Sequence, residues 1–277
     1  MRRMILISVL TAAMLAGLMP SASAARGGAA AGREPGVPAG AVQLSEDVFL
    51  IGTAEDHGRT VVGLAIVHRD NPAKPDGTPG KGNNKPGGNT TSSCFAPIAK
   101  GAVWKIFTEP WMLNDAGLSA GDAASFADRV DEALGAWEAA AGNEIFGSRA
   151  AFDGTAVSLA STDDHNVVEF GDLGAGGTIA VTYTWGIWGG PPRNRVIVEW
   201  DQIYNTRYAW NFDLGVPTGS EMDASNIATH EVGHAAGLTH PDITCDQETM
   251  HRYASFGETI KRTLNDGDIA GIRELYA

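Results

Sequence analysis

One run of eleven residues constrains this chain more than any other: His230-Glu231-Val232-Gly233-His234-Ala235-Ala236-Gly237-Leu238-Thr239-His240. It falls on a helix expected from Met222 to Gly237, which Asp223 or Ser225 can begin and Gly237 can end. His230 and His234 are four apart on that helix, so they project from one face and can reach one metal ion. Gly237 tolerates backbone angles that other residues resist, which allows a sharp turn bringing His240 back as a third ligand. Three neutral imidazoles leave the fourth tetrahedral position of a zinc ion open, the mark of a catalytic site rather than a structural one. Glu231 follows the first ligand and is placed to act on water there as a general base. With this composition, the five fixed positions arise by accident with odds on the order of a few in a hundred thousand.

The rest of the chain divides by composition. Arg2 and Arg3, the uncharged apolar run from Met4 to Met19, Pro20 and Ala22-Ser23-Ala24 read as a signal peptide over residues 1–24, so the expected location is secreted and extracellular. Residues 25–69 form an N-terminal segment, a possible pro-region. Within it Val48–Gly52 and Val61–Val67 read as a hairpin turning near Glu55–Gly58. A hairpin this small does not fold alone, so it is either a docked pro-segment or an extra edge on the main domain. Residues 70–93 carry four prolines, five glycines and no large apolar residue, which makes them a linker.

Residues 94–277 read as one globular domain. Val103–Phe107 is an expected strand, and Ser119 can cap a helix to about Ala141 with Phe126, Val130, Leu134, Trp137 and Ala141 on one face. Strands are expected around Val167–Phe170, Thr178–Thr184 and Arg195–Trp200, and a last helix from Asp266 to Tyr276. That order gives an α+β fold: a mixed twisted sheet with an active-site helix and a C-terminal helix. Charge sharpens the functional reading. Residues 1–93 hold nine bases and seven acids, whereas residues 94–277 hold eleven bases and twenty-six acids. So acidic a domain is a poor partner for nucleic acid, whose phosphates need clustered Lys and Arg. No segment after the signal is apolar enough for stable membrane insertion, and without a repeat or coiled-coil signal a monomer is the default. Cys94 and Cys245 are the two cysteines, and an exported chain most simply joins them in a disulfide. The rival is that Cys94 is a latency thiol on the metal. His57, His68 and His165 read as surface residues, while His251 adjoins the expected cleft.

His230 through His240 resembles the extended zinc motif of the metzincin metallopeptidases, and the chain is similar to their matrixin branch. Thr249-Met250-His251-Arg252-Tyr253 lies where that clan turns tightly under its zinc, which makes Met250 the Met-turn residue. Leu264–Ile272 with Leu275-Tyr276 is similar to the last matrixin helix, Asp172–Ala180 to the loop and edge strand above the cleft, and Val130–Phe146 to the first helix. The likeness spans about residues 94–277. It implies a secreted zinc endopeptidase acting on proteins or peptides, in which zinc-activated water attacks the scissile carbonyl with Glu231 as base. It further implies that Thr178–Thr184 is an edge strand where Ala180, Val181 and Thr182 pair with substrate backbone. Tyr253 would wall the pocket for the side chain just past the cleaved bond. Val181 and Val198 stand where two histidines of a second, structural zinc would be, so one zinc ion is expected. For calcium, Asp172, Glu199 and Asp201 are the candidate oxygen donors. The pro-segment motif has only a faint counterpart in Arg33–Pro38, without its cysteine. Two rivals share this metal site: a zinc amidase or peptidase of narrow specificity on cell-wall or small peptides, and a non-catalytic binding module of the same fold. An intact Glu231 argues against the second.

Overall fold

The computed structural model describes residues 34–71, 91–105 and 109–277. The expected signal peptide and most of the expected linker lie outside them. In chain order the strands are β1 (Val42–Gln43), β2 (Val48–Asp56), β3 (Arg59–Asp70), β4 (Ala96–Pro97), β5 (Val103–Trp104), β6 (Trp111–Asn114) and β7 (Arg149–Ala150). Then come β8 (Asn166–Gly171), β9 (Thr178–Ile187), β10 (Val196–Asn205), β11 (Ala209–Asn211), β12 (Glu221–Asp223), β13 (Leu238–Thr239) and β14 (Tyr253–Ala254). The helices are α1 (Ala120–Ala141), α2 (Ala224–Ala235) and α3 (Asp266–Tyr276). The fold is α+β, as the element order implied.

The central sheet runs β1-β2-β3-β9-β10-β8-β6-β7, with β14 added beside β3 and β5 beside β10. From β10 outward through β8, β6 and β7 the pairs are parallel, while β9 is antiparallel to both of its neighbours. One face carries the helices. Phe126, Val130, Leu134 and Trp137 of α1 bury against Trp111, Val168, Tyr204, Ile227 and Val232. The Trp137 indole also donates to the Thr229 carbonyl at 2.8 Å, which pins α1 to α2. Each such side chain removed from water contributes about 1.5–3 kcal/mol, so this face dominates the stability of the domain. The other face packs Val37, Phe49, Ala65, Val67, Val181 and Tyr183 together.

One expectation changes here. Thr178–Thr184 is not at an edge in this structure: β3 pairs with β9 from Val62↔Gly186 to Arg69↔Thr178. The reason lies in β3 itself. Leu64, Ile66 and His68 are buried on one side of it and Ala65 and Val67 on the other, the two-sided burial of an interior strand. Its N–H and C=O groups fill the open ladder that β9 would otherwise present to solvent.

Candidate metal and catalytic site

Asp223 caps α2 by accepting from Asn226 N at 2.7 Å, and the helix then presents His230, Glu231 and His234 toward β9. Gly237, at φ 104°, turns the chain, and β13 leads to His240. The three imidazoles converge: His230 Nε2 lies 3.2 Å from His240 Nε2 and 3.1 Å from His234 Nε2. The opposite nitrogens explain what this means. His230 Nδ1 donates to the Thr249 carbonyl at 2.6 Å, and His234 Nδ1 to the Leu238 carbonyl at 2.9 Å. A carbonyl only accepts, so both rings carry their proton on Nδ1 and their Nε2 lone pairs face one another. Burial first, and neighbouring imidazoles after it, hold both rings well below the usual histidine pKa and therefore neutral. Acceptor facing acceptor at 3.1 Å is an arrangement that a shared cation would sustain. Zinc–nitrogen bonds of about 2.1 Å at tetrahedral angles put such nitrogens about 3.4 Å apart, so these residues fit a zinc ion.

The floor beneath the imidazoles is built by α3. Asp268, fully buried, accepts from Thr249 N at 2.7 Å and Met250 N at 3.1 Å, while also accepting from Asn265 N at 2.9 Å. Thr249 is thereby held with its carbonyl on His230. Met250 packs so closely on α2 that a Cβ at position 233 would meet its Sδ at 2.2 Å and the Trp137 ring at 2.7 Å, hence Gly233.

Glu231 is fully buried, and its carboxyl has two partners. Thr182 Oγ1 donates to Oε2 at 2.6 Å, and His68 Nδ1 meets Oε1 at 2.9 Å. Burial pushes the Glu231 pKa up to about 8, against the opposing pull of Thr182 and Lys261. His68 also stacks on His230 with ring centroids 3.7 Å apart, and its Nε2 lies 3.5 Å from Lys261 Nζ. Burial, then the Lys261 charge, keeps His68 neutral. Lys261 follows Asn226 Oδ1, which accepts its backbone N–H at 2.7 Å, and its buried ammonium donates to the His251 carbonyl.

Residues 34–71 close the site from above. Asp47 Oδ2 faces His240 Nδ1 at 3.3 Å, and Asp47 Oδ1 accepts from Arg69 Nε at 3.1 Å. Arg69 also pairs with Glu34 at 2.7 Å, and Arg252 pairs with Glu46. Beyond His68 the main chain bonds alternately to two walls. Arg69 N donates to the Arg252 carbonyl at 3.4 Å, Asp70 N to Gly177 at 2.8 Å and Asn71 N to Ala254 at 2.9 Å. Thus β3 runs antiparallel to β9 and parallel to β14, spanning the space between them. His230, Glu231 and His234 have no exposed surface in this form.

The expected residues therefore come together in part. His230, Glu231, His234, His240 and Met250 form one cluster, and Cys94 is joined to Cys245 by a disulfide. Ala180, Val181 and Thr182 are fully buried under β3, with Thr182 on Glu231 and Val181 in the opposite core. Tyr253 pairs with Arg69 through its backbone and donates its hydroxyl to Glu46 at 3.3 Å. Of the calcium candidates, Asp172 stands apart from Glu199 and Asp201, which lie two residues apart on β10. Asp172 is held by Arg207 at 2.7 Å and 2.6 Å, next to the pairing of Gly171 with Asn205. Glu199 lies six residues earlier on β10, a separation of roughly 20 Å along a strand. His57 is a surface residue, paired with Asp164 at 3.0 Å, and His165 is half-buried beside Asp153 at 3.2 Å. His68 is the correction: it is fully buried against Glu231, because alternation along β3 puts it on the side of Leu64 and Ile66.

The matrixin (Peptidase_M10) family model matches residues 121–277. No curated protein is a significant match to the chain.

Proposed function

The chain belongs to the matrixin family of zinc-dependent metallopeptidases, which act on proteins or peptides, and from that premise we propose that it is a secreted endopeptidase with Glu231 as its general base. The observation that carries the reading is the convergence of the His230, His234 and His240 Nε2 atoms beside the Glu231 carboxyl. The disulfide Cys94–Cys245 and the apolar run Met4–Met19 followed by Ala22-Ser23-Ala24 support export. Among the described residues no helix is long and apolar enough to cross a membrane.

His230, His234 and His240 would hold the zinc ion, which when bound supplies Lewis acidity to the scissile carbonyl and to water. The chain does the rest. Thr182 fixes Glu231 Oε2, which leaves Oε1 to take a proton from the attacking water and deliver it to the leaving amine nitrogen. The β9 ladder at Ala180, Val181 and Thr182, with the β14 wall at Tyr253, would bind an extended peptide along the course β3 follows here. The described form is then a closed one. In our reading residues 25–69 are a pro-segment whose β3 stands in the peptide's place, and cutting within residues 70–93 frees the cleft.

Zinc analysis with activity on an unfolded protein tests the site. Glu231→Ala should keep one zinc per chain and lose hydrolysis by about a thousandfold, whereas His234→Ala should lose the metal. Hydrolysis surviving in the first variant, or full zinc content in the second, would overturn the assignment.

A further inference from the structure

His68 shows what kind of side chain the pocket beside the catalytic base is built to receive. Its ring enters between α2, where it stacks on His230, and the 3₁₀ turn Ile260–Arg262. The near nitrogen meets Glu231, and the far one points at Lys261 Nζ, 3.5 Å away. Lys261 is 1% exposed, and its ammonium also donates to the His251 carbonyl. A buried ammonium is costly unless acceptors surround it. The Glu258, Asp268 and Glu231 carboxylates all favour its charged form, and burial alone brings its pKa down, to about 8. It is therefore a cation at neutral pH, facing the space His68 fills.

When a peptide replaces β3, the residue aligned with His68 takes that space. An apolar side chain there would offer the ammonium no acceptor on the side His68 now occupies. A carboxylate would give it a charge-assisted hydrogen bond in a site shielded from water. Length decides between the two acids. Nε2 of histidine and Oε of glutamate each lie three bonds beyond Cβ, whereas an aspartate oxygen stops one bond short. The base does not exclude glutamate, because Glu231 contacts the opposite edge of the ring from Lys261.

We propose that Lys261 makes this pocket selective for glutamate in the peptide residue that takes the place of His68, the one just past the attacked bond. The inference rests on the peptidase reading above for that last assignment, but the preference itself is a matter of binding. It can be measured without hydrolysis. The zinc-loaded full chain, carrying a specific protease site between residues 72 and 90 and cut once there, is mixed with synthetic peptides of sequence 59–71. In these peptides position 68 is His, Glu, Gln or Leu, and release of the cut segment is followed. The Glu peptide should displace the segment at about a tenfold lower concentration than the Leu peptide. Lys261→Met should reverse that order, and Lys261→Arg should keep it. Leu binding as well as Glu in the unsubstituted chain would overturn the proposal whether or not Lys261→Met folds. Failure of every peptide to displace the segment would overturn it too. Hydrolysis of an unfolded protein by the same cut chain is read separately: its absence, with the Glu preference present, would count against the peptidase reading and leave the pocket assignment standing.

Discussion

The floor and the roof of this site are built in different ways. The floor is Asp268 on α3, which holds Thr249 and Met250 by their backbone N–H groups, and Thr249, which holds His230. Every member is buried, each contact is short, and three hydrogen bonds share one carboxyl. The roof is β3, joined to β9 and β14 by main-chain ladders and fastened at its rim by partly exposed pairs such as Arg69–Glu34 and Arg252–Glu46. A ladder can be exchanged for another strand of any sequence that suits the pockets, and exposed ion pairs add little to its strength. A buried carboxyl serving three donors cannot be exchanged for anything. On the proposed reading, the difference separates a permanent metal frame from a removable cover.

Substitutions on each side should break that comparison to different degrees. Asp268→Ala leaves two buried N–H groups and one partly buried one without an acceptor, so it should cost about 3–5 kcal/mol in denaturant unfolding and weaken zinc binding with it. Retained stability would mean that the floor is not held from α3. On the roof, Arg69→Ala removes the ties to buried Asp47 and to partly exposed Glu34, which together are worth about 1–2 kcal/mol. Hydrolysis by the uncut chain should rise about tenfold, and no rise would show that the rim pairs do not hold the cover. Asp47→Asn sharpens the boundary between the two. Removing the carboxylate that faces His240 should weaken zinc about tenfold in the uncut chain. Unchanged zinc affinity in the uncut variant would show that the cover contributes nothing to holding His240.

The smallest effect lies outside both, on β10. Burial, and after it the Asp201 charge, push the Glu199 pKa up to about 9. The folded chain then keeps a proton that the unfolded chain releases above about pH 4.3. Stability from this group is complete below that pH and is lost progressively as pH rises toward 9. Glu199→Gln should flatten the decline between pH 5 and 9 and leave the variant about 1 kcal/mol more stable than the unsubstituted chain at pH 9. Parallel pH profiles would refute the shift.

The histidine triad and Met250 were legible in the sequence, whereas Asp268 beneath them and the β3 roof above were not, for physical reasons. Fixed spacing on one helix is local: four residues set two ligands on one face, and Gly237 announces the turn to His240. The α1 stripe of Phe126, Val130, Leu134 and Trp137 obeys the same local rule and is buried as expected. Nothing local tells β3 to insert beside β9, since strand partners are set by register and burial across a long stretch of chain. His68 could have been picked out by its alternation with Leu64 and Ile66, which would have placed it indoors though not on Glu231. Asp47 and Lys261 carried no signal at all, because each acquires its role through one tertiary contact. Strand β6, Trp111–Asn114, was too short to show a period.

The most direct test of a removable cover over a permanent metal frame is hydrolysis of an unfolded protein by the zinc-loaded full chain before and after one specific cut between residues 72 and 90. The account predicts little activity in the intact chain, a rise of about a hundredfold when the cut segment has been washed away, and one zinc per chain throughout. Equal activity in the intact and washed forms would contradict it, because β3 would then not stand in the peptide's place.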